Sequence, residues 1–149
     1  MKISEMLDRS HSAFIRMDPG QSVMAAVTVM ADRGASAVLV MANGLPNGIF
    51  TEKDLIQCLS RHPETPLPEI PVESVMSDSL IVAESGDTVD EAMSMMIKAD
   101  IRHLPVVDND RVCAMVGLED LVRCHVGTLT KELHYLKDYI SNLQDAVHD

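Results

Sequence analysis

At 149 residues, 46% of them hydrophobic, the chain is long enough for one compact domain or two small fused halves around a real core. Its 23 acidic residues against 12 Lys and Arg give a net charge of −11, which repels a phosphate backbone and excludes nucleic acid as the expected partner. With no Trp and only 3% aromatics, the core must be aliphatic, with Met filling gaps, and stacking on aromatic rings is excluded as the main binding device.

The opening MKISEMLDRSH lacks a signal-peptide core, and no apolar run approaches the roughly 20 residues of a membrane span, so a cytoplasmic protein without a membrane partner is expected. Ser22 then caps a helix in which Val23, Ala26, Val27 and Met30 recur at helical spacing. SAVLVM follows as a buried strand, Asn43-Gly44 as a hairpin turn, and NGIF as a second strand. In GIFTEKDL the apolar pair Ile49 and Phe50 stops at Thr51, and a second helix begins near Glu52. Thr51 can cap that helix; Asp54, three residues on, can face the same mouth, so the stretch reads as a helix cap or as half of a binding site.

Pro63, Pro66, Pro68 and Pro71 form a linker, after which the order repeats: a short strand in SLIVAE, a helix capped by Thr88, the strand HLPVVD, a turn at Asp108-Asn109-Asp110, the strand CAMV, and a helix starting near Glu119. Laid over one another at an offset of 66, residues 20–58 and 86–124 align without a gap and share nine of 39 identities, among them Asp54/Asp120 and Cys58/Cys124. Ordinary composition gives about two or three by chance, so the chain is a duplicated unit. Each unit, with a short strand before it, reads β-α-β-β-α, and one alone is marginal in size.

Past the second unit, Leu129, Leu133, Leu136, Ile140, Leu143 and Val147 recur at alternating spacings of four and three, a heptad stripe on a C-terminal helix hinged at Gly127. The expected arrangement is an intermolecular contact, with packing against its own domain as the alternative. The three cysteines form no CxxC pair and read as reduced thiols, Cys58 and Cys124 as core or near-core ones; the scattered histidines predict no metal site.

A tandem β-α-β-β-α unit with RHLPVVD in one copy and G-h-x-T-x-x-D, h being apolar, in the other resembles a pair of CBS (cystathionine β-synthase) domains, together called a Bateman module. The resemblance implies an α/β (α+β) fold of two repeats packed sheet to sheet with pseudo-twofold symmetry, with repeats at 3–61 and 73–126, a linker at 62–72 and a C-terminal helix at 127–149. It also implies an adenosine-containing ligand, such as AMP, ATP, NAD or an S-adenosylmethionine-type molecule, in a cleft between the repeats, with no obligatory cofactor. Gly48, Ile49, Phe50, Thr51 and Asp54 match the motif in full; the family pattern gives Asp54 the ribose hydroxyls and Thr51 the phosphate. The carboxylate has two acceptor oxygens for two neighbouring hydroxyls, so the chemistry is sound. From the opposite repeat the family geometry adds Ile101, Arg102 and His103, with a guanidinium fork for phosphate, and Ala83 and Ala92 as small neighbours of the adenine.

The second cleft pairs Asp120 with Ala35, Ser36 and Ala37, but Gly117 stands where Thr51 does and no Arg or His faces it, so one good site and one poor or empty site are expected. The sequence carries no P-loop, G-x-S-x-G or HExxH, and enzyme activity is not expected. The leading expectation is a homodimeric, nucleotide-responsive sensor signalling to a separate, unidentified protein. The alternative is an interaction module with vestigial sites that acts through its C-terminal helix.

Overall fold

A computed structural model describes residues 1–7 and 14–148. Residues 8–13, inside the first expected repeat, and Asp149 lie outside the described residues. The elements in chain order are α1 (Ile3–Met6), β1 (Arg16–Met17), α2 (Val23–Arg33), β2 (Ala37–Ala42), β3 (Leu45–Thr51) and α3 (Glu52–Arg61), followed after two short 3₁₀ turns by β4 (Ala83–Glu84), α4 (Val89–Ala99), β5 (His103–Asp108), β6 (Arg111–Gly117) and α5 (Leu118–His148). They make the expected mixed α/β fold, two three-stranded sheets of order β1-β2-β3 and β4-β5-β6, the strand order of the first recurring in the second.

The duplication extends to small detail. In each sheet the first strand runs parallel and the third antiparallel to the middle one, and the register shifts at Val40/Met41 and again 66 residues on at Val106/Val107. Both hairpins turn through two residues of positive φ, Asn43 and Gly44 in one, Asn109 and Asp110 in the other, which matches the twist of the flanking strands. Ser22 and Thr88 cap α2 and α4 by accepting hydrogen bonds from Ala25 N and Glu91 N. These helices bury Val23, Ala26 and Met30, and Val89, Ala92 and Met96, at three- and four-residue spacing.

Each repeat is closed by a strap that leads into the other. Ile70 and Val72, on the way to the second repeat, are buried in the first core, with Val23 N donating to Ile70 O and Val72 N to Gln21 O, both at 2.8 Å. Ile3, on the way to the first repeat, is wholly buried in the second core, with Val89 N donating to Met1 O and Ile3 N to Asp87 O. MKISEML and IPVESVM are therefore equivalent segments, at an offset of 69 rather than 66.

Two expectations change in extent. Only Ala83 and Glu84 of SLIVAE pair with β5, because Ser77 is held to Ile49 of β3 by reciprocal backbone hydrogen bonds of 2.9 Å and the chain must cross between repeats before joining the second sheet. The C-terminal helix is not hinged at Gly127: α5 is continuous over 31 residues. The penalty of about 1 kcal/mol for one Gly does not break a helix flanked by Leu129, Lys131, Glu132 and Leu133, all good helix formers.

If the Ile3 strap closes the second core, Ile3→Ala should cost about 2–5 kcal/mol in urea unfolding, through lost transfer energy and a residual cavity. A loss under about 0.5 kcal/mol would show that the core closes without it.

Candidate functional site

A cleft of about 680 Å³ opens between the repeats, within the size range of small-molecule sites. The first repeat contributes Ser36, the Ile49 to Asp54 corner and the outer face of α3; the second contributes Asp100 to His103 and Pro105; and the crossing segment from Ser77 to Ile81 forms a third wall. Strand alternation sorts the motif. Along β3, Gly48 and Phe50 turn to the core while Ile49 and Thr51 turn to the cleft. Of the residues expected at the ligand, Ile49, Thr51, Asp54, Ile101, Arg102 and His103 line the cleft. Phe50, Ala83 and Ala92 do not; they are completely buried core residues. Gly48 lies under the Met76 side chain, with Sδ only 2.5 Å from where a Cβ would sit, so a side chain here would displace Met76 of the strap.

Asp54 lies at the floor, 6% exposed. Its Oδ2 accepts from Thr51 N at 3.0 Å and Thr51 Oγ1 at 3.2 Å, closing a capping box at the start of α3. Its Oδ1 accepts from Ser77 Oγ at 2.9 Å. The two readings of GIFTEKDL are thus combined: the cap fixes the carboxylate, and the cap residue still faces the cleft. Arg102 and Lys53 bring positive charge to the walls, Glu52 and Asp100 bring negative charge, and Ile49, Ile56, Leu80, Ile81, Ile101 and Pro105 supply apolar surface. This lining can hold a flat apolar group beside a polyhydroxyl or an anion.

Ser36 belongs to the same cleft. The sequence placed it in the second one, yet its Oγ lies 2.7 Å from His103 Nε2 and ties the two repeats together. Sequence could have offered a signal here, since Ser36 and Arg102 are equivalent positions and each precedes the start of a middle strand. Glu52 N donates to Ser36 O and Leu118 N to Arg102 O in matching fashion. Ser77 through Ile81, Lys53, Ile56, Gln57 and Asp100 were not anticipated, the first group because the crossing of the strap is not written in local periodicity. Asp100 adopts a left-handed conformation, φ 55°, where the first repeat has Gly34.

In the second repeat Asp120 Oδ2 accepts from Gly117 N at 3.0 Å, as Asp54 does from Thr51 N, but no hydroxyl stands at Gly117. Ala37 is buried and Ala35 packs on the first core. The counterpart of the Ser77 to Ile81 wall falls in part on residues 8–13, outside the described residues. Among the described residues, no cluster of three or more His, Cys, Asp and Glu side chains gathers as metal ligands. Among the same described residues, no helix is long and apolar enough to cross a membrane. Cys58 is 2% exposed, and burial raises its thiol pKa.

Burial lowers the His103 pKa below its usual 6.5; Glu52, Asp120 and Glu119 pull it up and Arg102 pushes it down, and burial prevails. The unfolded chain then takes up this proton more readily than the folded one. The contribution of His103 to stability is present above about pH 6.5 and is lost as pH falls below that value. Urea midpoints at pH 7.5 and 5.5 should therefore fall more in the unchanged chain than in His103→Gln; an equal fall in both would remove His103 as the cause.

A family model for the CBS domain matches residues 6–61 and again 72–127. The CBS domain-containing protein YhcV of Bacillus subtilis is 26% identical over 119 residues, 80% of this chain and 84% of that protein. The crystal structure of the CBS-domain containing protein ATU1752 from Agrobacterium tumefaciens superposes with a TM-score of 0.78 at 25% identity, covering 84% of this chain and 99% of the other. The CBS domain pair of protein MJ0100, in complex with 5′-methylthioadenosine and S-adenosyl-L-methionine, has a TM-score of 0.74 at 24% identity over 86% of this chain and 98% of that one, a likeness of fold. Several other curated relatives are longer, and the chain spans about half or less of their length.

Proposed function

The chain belongs to the CBS-domain family as a tandem pair, and from that premise we propose that it is a cytoplasmic regulatory module that binds an adenosine-containing ligand between its repeats and relays occupancy to a separate protein. The observation that supports this most is the buried Asp54 carboxylate at the floor of an apolar-walled cleft with Arg102 on the opposing repeat. A ribose placed over Asp54 takes the position of the Ser77 hydroxyl on Oδ1, and an adenine lies between Ile49 and the Leu80-Ile81 wall. A phosphate reaches Arg102, Lys53 and the Thr51 hydroxyl. An adenosyl compound is also what the MJ0100 pair carries. AMP, ATP, NAD and S-adenosylmethionine all fit this chemistry, and a homodimer is the assembly that goes with it.

The alternative, an interaction module whose clefts are vestigial, draws on one fact: every oxygen of Asp54 already has an internal partner. A thermal-shift screen with the four ligands separates the two, since a ligand of the native state raises the melting temperature and a vestigial cleft gives no shift. Catalysis is not part of this reading. Ser36 and His103 form a hydroxyl–imidazole pair, but burial makes the imidazole a weaker base, and each ligand should be recovered unchanged after incubation.

Asp54→Ala should weaken binding roughly ten- to a hundredfold, the equivalent of about 1.5–3 kcal/mol for charge-assisted hydrogen bonds, while Asp120→Ala changes it little. Because Asp54 also caps α3, Asp54→Asn serves as a second variant, with circular dichroism reporting the fold. Calorimetry on these proteins decides between the clefts; equal losses, or loss only in Asp120→Ala, contradict the assignment. Ser77→Ala removes the internal competitor for Oδ1 and should leave affinity unchanged or raise it. A loss of tenfold or more would instead make the Ser77 hydroxyl a ligand contact.

A further inference from the structure

The heptad stripe is longer than its C-terminal portion. Val122 and Val126, 40% and 52% exposed, continue the alternating spacing backwards from Leu129, so the apolar line runs from Val122 to Val147 on one unbroken helix. From Val126 to Val147 the helix has only exposed residues, so its apolar line is uncovered in the single chain. Residue types along the line are not uniform. The a positions hold β-branched Val126, Ile140 and Val147, with Leu133 the exception; the d positions hold Leu129, Leu136 and Leu143, with Val122 the exception. Branched residues at a and Leu at d favour two parallel strands. Charge points the same way. In a parallel pair the g position Glu132 of one helix meets the e position Lys137 of the other, twice by symmetry, whereas antiparallel pairing in the register that matches every apolar layer sets Glu132 near Tyr139 and Lys137 near Thr130.

We propose that α5 is the seam of a self-association in which two copies of this chain form a parallel, two-stranded coiled coil from Val122 to Val147. A membrane surface is the poorer occupant: from Gly127 to Val147 the helix carries Lys131 and Lys137 against Glu132, Asp138 and Asp145, without the basic face that anionic lipid selects. The inference deepens the homodimer reading but does not depend on nucleotide binding, and its readouts need no nucleotide.

Two measurements on the full chain test it. Under mild oxidation Leu143→Cys should form an intermolecular disulfide well above the background from the native thiols, because parallel helices bring like d positions together; the antiparallel register separates them by about 25 Å. In low salt, Glu132→Lys and Lys137→Glu should each raise the dimer dissociation constant by about tenfold in sedimentation, and the double exchange should return it to within about threefold. Circular dichroism confirms that each variant is folded. Absence of the Leu143→Cys crosslink, or single exchanges without effect, overturns the seam. So does a mass of three or more chains, or pelleting with phosphatidylserine vesicles without self-association.

Discussion

The position of the strap that joins the repeats governs the rest of the molecule. Ile70 and Val72 are drawn into the first core, and the next residues are fixed to β3 through the reciprocal Ser77–Ile49 hydrogen bonds. A buried Val is worth about 1.5–3 kcal/mol and each backbone hydrogen bond about 1 kcal/mol net, so the strap is held by several kcal/mol distributed over a few residues. Only after Ser77 is the chain free to reach the second sheet, and the residues spanning that gap become the third wall of the cleft. The cleft is a consequence of the crossing. The matching strap at Ile3 does the same for the second core, so each core is closed by a segment that leads into the other repeat.

Asp54 is the residue at which the fold and the proposed site meet. A carboxylate that is 6% exposed needs partners, and Thr51 and Ser77 supply them from within the chain. Of the two sets, the Thr51 contacts belong to the helix start and persist with any occupant, whereas the Ser77 hydroxyl is a side-chain contact that can rotate away. The second repeat keeps the acid and loses the hydroxyl. Asp120 holds Gly117 N, and the cross-repeat tie of Ser36 to His103 has no counterpart because Ala37 stands at the position equivalent to His103. Duplication supplied two scaffolds, and divergence at a handful of positions made them chemically unequal.

Much of this is legible from the chain itself wherever the cause is local. Caps at Ser22, Thr51 and Thr88, the paired positive-φ turns, and the inward faces of α2 and α4 follow from short-range rules, and the constant offset of 66 exposes the repeat. Causes that act across the chain are not legible in the same way. The straps repeat at an offset of 69, so an ungapped comparison passes over them. Gly48 reads as a motif glycine, and only the structure shows Met76 packed above it; Phe50 belongs to the same motif, and strand alternation places its side chain in the core. The tie from Ser36 to His103 is hidden from local pattern because the two residues lie 67 positions apart.

Backbone hydrogen exchange, compared with and without saturating AMP, ATP, NAD or S-adenosylmethionine, tests the central claim most directly, because it locates an occupant without altering the protein. The account predicts slower exchange in three separated segments at once: Ile49 to Asp54, Ser77 to Ile81, and Ile101 to His103. Protection confined to Met115 to Arg123, or no change with any of the four at concentrations that saturate related sites, would contradict it.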